Sequence, residues 1–316
     1  MENLPYLTHE AKFKDSGIHR ASELLKRWGN ETVEGLGLIG VPLSKPSISH
    51  SGASFAPETI RKMMNAFTTY SIQQDTDLIA SSITDFGDIL MHVTNLEESH
   101  RRIESSIETI LQSSPSMKPI FLGGDHSITA PIVKAFQRVH GKVGIIQFDA
   151  HHDLCNLEDG GPSNGTPFRQ LIEHGAIQGK HLYQIGIRDF SNGKVYSDYA
   201  KENGVTVYPM SDVYQRGITA ILKDIIAKLQ KEVEIIYVSL DMDVMDQAYA
   251  PGCPAIGPGG MDSQMIIEAI SLLSKEPSVC GMDIVEIDPT LDFRDMTSRL
   301  AAYSVLTFLM GFGRRN

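Results

Sequence analysis

The chain has 316 residues, 41% of them hydrophobic and 21% charged, which is the composition of an ordinary globular protein long enough to bury a sizeable core. Its 28 lysines and arginines against 39 aspartates and glutamates leave a net charge of −11, which argues against sequence-independent nucleic-acid binding, where a basic surface must neutralise phosphates. Three cysteines, Cys155, Cys253 and Cys280, with no CxxC pair, read as reduced thiols and not as a disulfide framework. The first residues carry neither the basic nor the apolar stretch of a leader, and no apolar run approaches a membrane span, so no membrane partner and a cytoplasmic location are expected.

Residues 1–34 are polar and mixed and read as an N-terminal arm, with a candidate short helix at His19–Trp28. Gly35–Pro42 reads as a first buried strand, followed by a Ser/His/Gly-rich loop over Ser44–Ser54. Ala56-Pro57-Glu58 opens a helix to about Phe67, because proline suits a first turn whose N–H groups are orphans and glutamate suits the positive helix end. A short strand or turn at Thr84–Ile89, a helix over Glu97–Leu111, a strand at Lys118–Leu122 and a helix over Ile128–Val139 follow.

Further strands are expected at Val143–Phe148, Leu182–Ile187, Val205–Tyr208, Ile235–Leu240 and Val279–Ile287, and helices over Ser211–Lys231, Ser263–Lys275 and Met296–Met310. Strands that are mostly continuously apolar, alternating with helical segments, predict an α/β fold with a mostly parallel sheet covered on both faces. No composition break marks a linker, so residues 35–316 read as one catalytic domain.

Four polar clusters stand at or just beyond the carboxyl ends of predicted strands, where open α/β sheets bind ligands. They are His126; Asp149, His151 and Asp153; Asp241 and Asp243; and Glu286. If the chain stays extended past Phe148, residues spaced by two share a face, so Asp149, His151 and Asp153 converge, as do Asp241 and Asp243. Each cluster alone has a structural explanation: a tight turn at Gly123-Gly124, a helix cap, a solvated strand end, an ion-paired carboxylate. Together at one sheet edge, four aspartates repel and lose hydration unless counter-charges are supplied, and two divalent cations supply them. Imidazole and carboxylate donors without thiolates suit Mn²⁺ better than structural zinc, and a two-metal site activates water for hydrolysis.

Gly-Gly-Asp-His-Ser around His126, Asp-Ala-His-His-Asp over Asp149–Asp153, Ser-Leu-Asp-Met-Asp ending at Asp243 and Asp-Ile-Val-Glu-Ile-Asp-Pro around Glu286 occur in this order. They resemble the ureohydrolases: arginase, agmatinase, guanidino-acid hydrolases and formimidoylglutamase. The match runs from about Gly35 to Leu309 and takes in Gly52-Ala53, Pro57–Arg61 and Ala250-Pro251-Gly252. The resemblance implies a three-layer α/β/α arginase-like fold, two Mn²⁺ per subunit and, commonly, a homotrimer or homohexamer. By motif, one metal is expected on His126, Asp149, Asp153 and Asp241 and the other on Asp149, His151, Asp241 and Asp243. His152 is expected away from the cluster, buried behind it or facing solvent. Glu286 matches the glutamate that receives the substrate's cationic nitrogen, and Asp153 is expected to pass a proton to the leaving amine.

Arginases and many agmatinases carry a histidine just before a glycine in the loop after the second motif, but this chain has Asn164 there, which cannot titrate. That departure, with the segments Ser163–Phe168 and Gly186–Asn192, makes the chain look most like the formimidoylglutamases of histidine degradation. The expected reaction is hydrolysis of N-formimidoyl-L-glutamate to L-glutamate and formamide. A substrate with two carboxylates asks for cations near the metals, and Arg169, Arg188 and Arg294 are the candidates beside Asn164. The alternatives are an agmatinase or guanidino-acid amidinohydrolase releasing urea and, further off, a single-zinc deacetylase or a non-catalytic metal-binding protein.

Overall fold

The computed structural model describes residues 15–49 and 51–313. In chain order the elements are strands β1 (Leu25–Arg27) and β2 (Gly35–Val41), helix α1 (Ala56–Met63), the short strands β3 (Tyr70–Ser71) and β4 (Thr76–Asp77), β5 (Ile83–Asp88), α2 (Leu96–Ser113), β6 (Met117–Gly123), α3 (Thr129–His140) and β7 (Val143–Phe148). There follow α4 (Pro167–Glu173), β8 (Leu182–Ile187), α5 (Lys194–Glu202), β9 (Thr206–Pro209), α6 (Met210–Arg216), α7 (Ile218–Leu229), β10 (Ile235–Asp241), α8 (Ser263–Leu273), β11 (Val279–Val285) and α9 (Met296–Phe312).

Nine strands form one sheet in the order β1-β5-β2-β6-β11-β10-β7-β8-β9, every neighbouring pair parallel. Both faces are covered, as continuously apolar parallel strands require. On one face Ile146 and Phe148 of β7 join the core formed with Ile60 of α1, Leu222 of α7, Ile270 of α8 and Phe308 of α9. On the other, Val143 and Ile145 pack with Ile107 of α2, Phe136 of α3 and Phe168 of α4. The two-residue alternation along β7 thus feeds two cores, giving three layers, α/β/α.

The last two strands, β10 and β11, fill the gap between β6 and β7. The four strands that precede the four polar clusters are therefore consecutive in the sheet. Because all are parallel, their carboxyl ends share one edge, and clusters scattered over more than 150 residues of chain become neighbours.

Five stretches differ from the sequence expectation. At His19–Trp28 the chain makes a 3-10 turn over Ala21–Leu24 and then β1, which pairs with β5 through Leu25 and Ile83. Burial of Ala21 and Leu24 and the free edge of β5 favour an edge strand over an isolated short helix. The long helix expected over Ser211–Lys231 is broken at Gly217, whose φ of 77° closes α6 before α7 begins. The antiparallel pair β3/β4 and the helices α4 and α5 have no counterpart among the expected elements; α4 and α5 are only 7 and 9 residues long, too short for a clear 3.6-residue period.

Candidate metal centre

Asp149 leaves the end of β7, but the chain beyond it does not stay extended. Asp153 has a φ of 51°, and this left-handed residue turns the loop so that its carboxylate comes back to the cluster. His126 lies just past β6, in the short 3-10 turn that Asp125 caps by accepting the Ser127 N–H at 3.1 Å. Asp241 closes β10, and its Oδ1 accepts the Asp243 N–H at 2.8 Å, which turns the chain and brings Asp243 to the same edge. The Gly124 position admits no side chain, because a Cβ there would meet the Leu43 carbonyl at 1.8 Å; glycine lets the end of β6 run against the loop that follows β2.

Two donor groups result. His126, Asp149, Asp153 and Asp241 form one, and Asp149, His151 and Asp243 form the other, with Asp149 common to both. His126 Nδ1 lies 2.8 Å from Asp153 Oδ2, 3.1 Å from Asp241 Oδ2 and 3.2 Å from Asp149 Oδ2. His151 Nδ1 lies 2.8 Å from Asp243 Oδ2 and 3.6 Å from Asp149 Oδ1. Asp241 falls in the first group only, so Asp149 is the shared carboxylate in this geometry.

The residues fit cations. His126 Nδ1 is fully buried and makes no hydrogen bond, although three carboxylate oxygens surround it; a lone pair and three oxygens pointing at one region is a donor set awaiting a positive charge. The electrostatics agree. Burial works against a charged imidazole, yet Asp149, Asp153 and Asp241 hold His126 well above its ordinary range. His151, also penalised by burial, is pushed up to about 12 by Asp243 and Asp149. Burial raises Asp153 to about 6, with Asp149 adding to it, and lifts Asp241 well above the carboxylate range, with Asp243 and Asp149 adding there.

Buried amides hold Asp149 from behind. Gln147 donates to Asp149 Oδ2 at 2.7 Å, and Gln184 donates to Gln147 Oε1 at 2.7 Å. His152, expected either behind the cluster or toward solvent, is 3% exposed; its Nδ1 meets Gln184 Oε1 at 2.7 Å and its Nε2 meets Ser197 Oγ at 3.0 Å. It belongs to the scaffold beneath Asp149. Neither glutamine stands out in sequence; the available signal is an amide within an otherwise apolar strand.

Glu286 follows β11 with a φ of 59°, which ends the strand at Val285, two residues short of the expected Ile287. Its Oε1 accepts the His126 N–H at 2.8 Å and the Asn164 Nδ2–H at 3.1 Å. Burial, with Asp125 adding, raises its carboxyl to about 8. A cavity of about 330 Å³ opens over the donors, lined by His151, Asp153, Asp241, Asp243, Asn164 and Glu286 together with Ser49, Ser191, Gly193 and Tyr196.

The three candidate arginines are not among the described residues lining this cavity. Arg169 is paired with Glu173 one helical turn on and stacks over the Tyr199 ring at 3.7 Å. Arg188 is buried and donates through Nη1 to the carbonyls of Met245 and Gly257 at 3.1 and 3.0 Å, tying two loops together. Arg294 is exposed in a turn where it and Asp295 both have positive φ. Cys155 lines the cavity, and Cys253 is buried beside Asp241 and Asp243, where burial first and then those charges push its thiol up; Cys155 and Cys253 are free thiols.

Residues 34–311 match the family model described as Arginase family. The chain belongs to the arginase family. This arginase-family chain is 56% identical over 312 residues to the formimidoylglutamase of Halalkalibacterium halodurans, covering 98% of each chain. It is also similar to the crystal structure of formimidoylglutamase from Bacillus subtilis, with a TM-score of 0.95, 45% identity and coverage of 98% of this chain and 97% of the other. A Trypanosoma cruzi formiminoglutamase solved with Mn²⁺ superposes with a TM-score of 0.82 at 26% identity, over 90% of this chain and 95% of that one. Across the arginase-family match no helix among the described residues is long and apolar enough to cross a membrane.

Proposed function

We propose that this chain is a Mn²⁺-dependent formimidoylglutamase that hydrolyses N-formimidoyl-L-glutamate to L-glutamate and formamide. The observation that carries the substrate assignment is identity of 56% with a formimidoylglutamase across 98% of both chains. The chemistry rests on the paired donor groups and the unpartnered His126 Nδ1.

His126, Asp149, Asp153 and Asp241 would hold one cation, and Asp149, His151 and Asp243 would hold the other. Two divalent ions held there would supply polarisation of the amidine and a water of lowered pKa. Glu286 accepts the cationic nitrogen of the substrate, which ionises a carboxyl otherwise raised by burial, while Asn164 and the His126 N–H fix the direction of its oxygens. Asp153, at the cavity wall, passes a proton to the departing amine. With the arginines elsewhere, the glutamate end of the substrate meets neutral donors at the cavity wall, among them Ser49 and Ser191. Residues 35–316 act as one catalytic domain, in a cytoplasmic homo-oligomer, and residues 1–34 as an arm that contributes β1 to the sheet edge.

Purified, manganese-loaded protein assayed side by side on formimidoylglutamate, agmatine, guanidinobutyrate and arginine tests this, with formamide and urea both measured. Formamide release from formimidoylglutamate is expected. Turnover confined to a guanidino compound overturns the substrate assignment, and a protein that retains a single zinc overturns the metal assignment.

A further inference from the structure

The two nitrogens of His126 face different partners. Nδ1 faces the carboxylates, and Nε2 lies 2.8 Å from Ser239 Oγ. Ser239 in turn donates its hydroxyl to Asp283 Oδ1 at 2.8 Å. The other oxygen of Asp283 accepts the hydroxyls of Thr129 at 2.7 Å and Tyr237 at 2.9 Å. All of these atoms are buried.

The strands place this relay. Ser239 and Asp283 are direct partners across β10 and β11, and Tyr237, Ser239 and Asp241 alternate onto one face of β10. Thr129 opens α3, three residues past His126. The edge of the His126 ring packs on Phe168, centroids 5.3 Å apart and planes at 86°, so the imidazole has little room to turn over.

A serine has one hydroxyl proton. Committed to the Asp283 carboxylate, it leaves the Ser239 oxygen as an acceptor, and the only donor His126 can offer it is an Nε2–H. The neutral imidazole is then in the tautomer whose Nδ1 carries a lone pair toward Asp149, Asp153 and Asp241. A buried carboxylate within a strand is expensive, and an apolar residue would serve packing better. A strong acceptor surrounded by three hydroxyl donors is what fixing a proton's direction requires.

We propose that Asp283 is a positioning residue of the metal centre, acting through Ser239 to fix the tautomer of His126 and thereby make Nδ1 a metal donor. The inference rests on the two-cation reading above. Carboxylate or carbonyl groups behind a metal-binding histidine generally act in this way, and losing one weakens metal binding about 10- to 100-fold; here a hydroxyl is interposed.

The test is equilibrium binding of Mn²⁺ to the chelator-treated full-length protein and to Ser239→Ala, Asp283→Asn and the double variant, each checked for folding by circular dichroism. The parent is expected to bind two ions, and each single variant to hold one of them about 10- to 100-fold more weakly while retaining the other. The double variant is expected to bind no more weakly than the weaker single one, because the two residues act in series. If Asp283→Asn does not fold, Ser239→Ala carries the test. A Ser239→Ala protein that binds both ions within twofold of the parent overturns the relay, as do losses that multiply in the double variant. A parent that binds fewer than two ions overturns the metal reading itself, and these outcomes are distinct.

Discussion

Asn164 Nδ2 donates at 3.1 Å to the same Glu286 oxygen that accepts the His126 backbone N–H at 2.8 Å. The amide at the position where the resemblance to arginases leads one to expect a histidine is therefore committed to the glutamate proposed to receive the substrate. Asn164→Leu leaves Glu286 with one donor fewer in a buried place, a loss of about 1–3 kcal/mol, so kcat/KM for formimidoylglutamate should fall about 5- to 150-fold with manganese content unchanged. Asn164→Asp should fall further, because a second carboxylate beside Glu286 drives both toward the neutral form. Turnover equal to the parent in both variants would show that the contact is incidental.

The arginines divide differently. Arg169 is held by Glu173 and Tyr199, and Arg294 is exposed and away from the cavity lining. Arg169→Ala and Arg294→Ala should each leave KM for formimidoylglutamate within about twofold, since surface ion pairs contribute roughly 0–1 kcal/mol and neither group faces the substrate. Arg188→Ala should instead lower the melting temperature, because it frees the carbonyls of Met245 and Gly257 from a buried donor. A tenfold rise in KM from either of the first two would return that arginine to the substrate site.

These outcomes show which parts of the molecule were legible in the sequence. The clustering of the candidate donors was, because Asp149 and His151, and Asp241 and Asp243, each follow an apolar strand at a spacing of two, and a parallel sheet puts strand ends at one edge. The route by which Asp153 arrives was not, since an extended chain and a left-handed turn at φ 51° both bring it near and only backbone conformation separates them. Glu286 at φ 59° is a similar case. Charge alone selected the arginines, and a long side chain's direction is set by its neighbours; even so, the spacing of Arg169 and Glu173 by four on a helix already pointed to pairing. Asp283 was in plain view within Gly-Met-Asp-Ile-Val-Glu, but its partners Ser239, Tyr237 and Thr129 meet it only through strand pairing.

Asp153 belongs to a candidate donor group and also lines the cavity, so the two duties proposed for it can be separated. Asp153→Asn keeps an oxygen for coordination and loses the ability to carry a proton. The variant should bind two Mn²⁺ at elevated metal concentration while kcat falls at least about 100-fold, the lower end of the usual contribution of general acid–base catalysis. If kcat is retained with both ions bound, proton transfer belongs to another group.

Chelation should be felt in stability. Asp149, Asp153, Asp241 and Asp243 crowd one edge with two imidazoles, and ligands that bind only the folded form stabilise it by mass action. Manganese at about 100 times its dissociation constant adds roughly 2.7 kcal/mol, so the melting temperature should drop on chelation and return on adding Mn²⁺. Calorimetry with and without chelator measures this, and an unchanged transition would mean that the ions are not held in the fold.

Acid sensitivity should have a component far from the metals. His100 lies on α2, its Nε2 is buried without a hydrogen-bond partner, and burial, with Lys134 adding, lowers it to about 4 from 6.5. Between these values the unfolded chain binds a proton that the folded chain refuses, so stability is full above about 6.5 and is lost as pH falls toward 4. The loss is about 2 kcal/mol at pH 5 and on the order of 3 kcal/mol once both states are protonated. His100→Leu removes the group that must be kept neutral and leaves the rest of the acid response in place. The difference in melting temperature between pH 7 and pH 5 should therefore be smaller in His100→Leu than in the parent, by several degrees for a loss of this size. Parallel pH curves for the two proteins would show that His100 titrates normally and that the acid limb arises elsewhere.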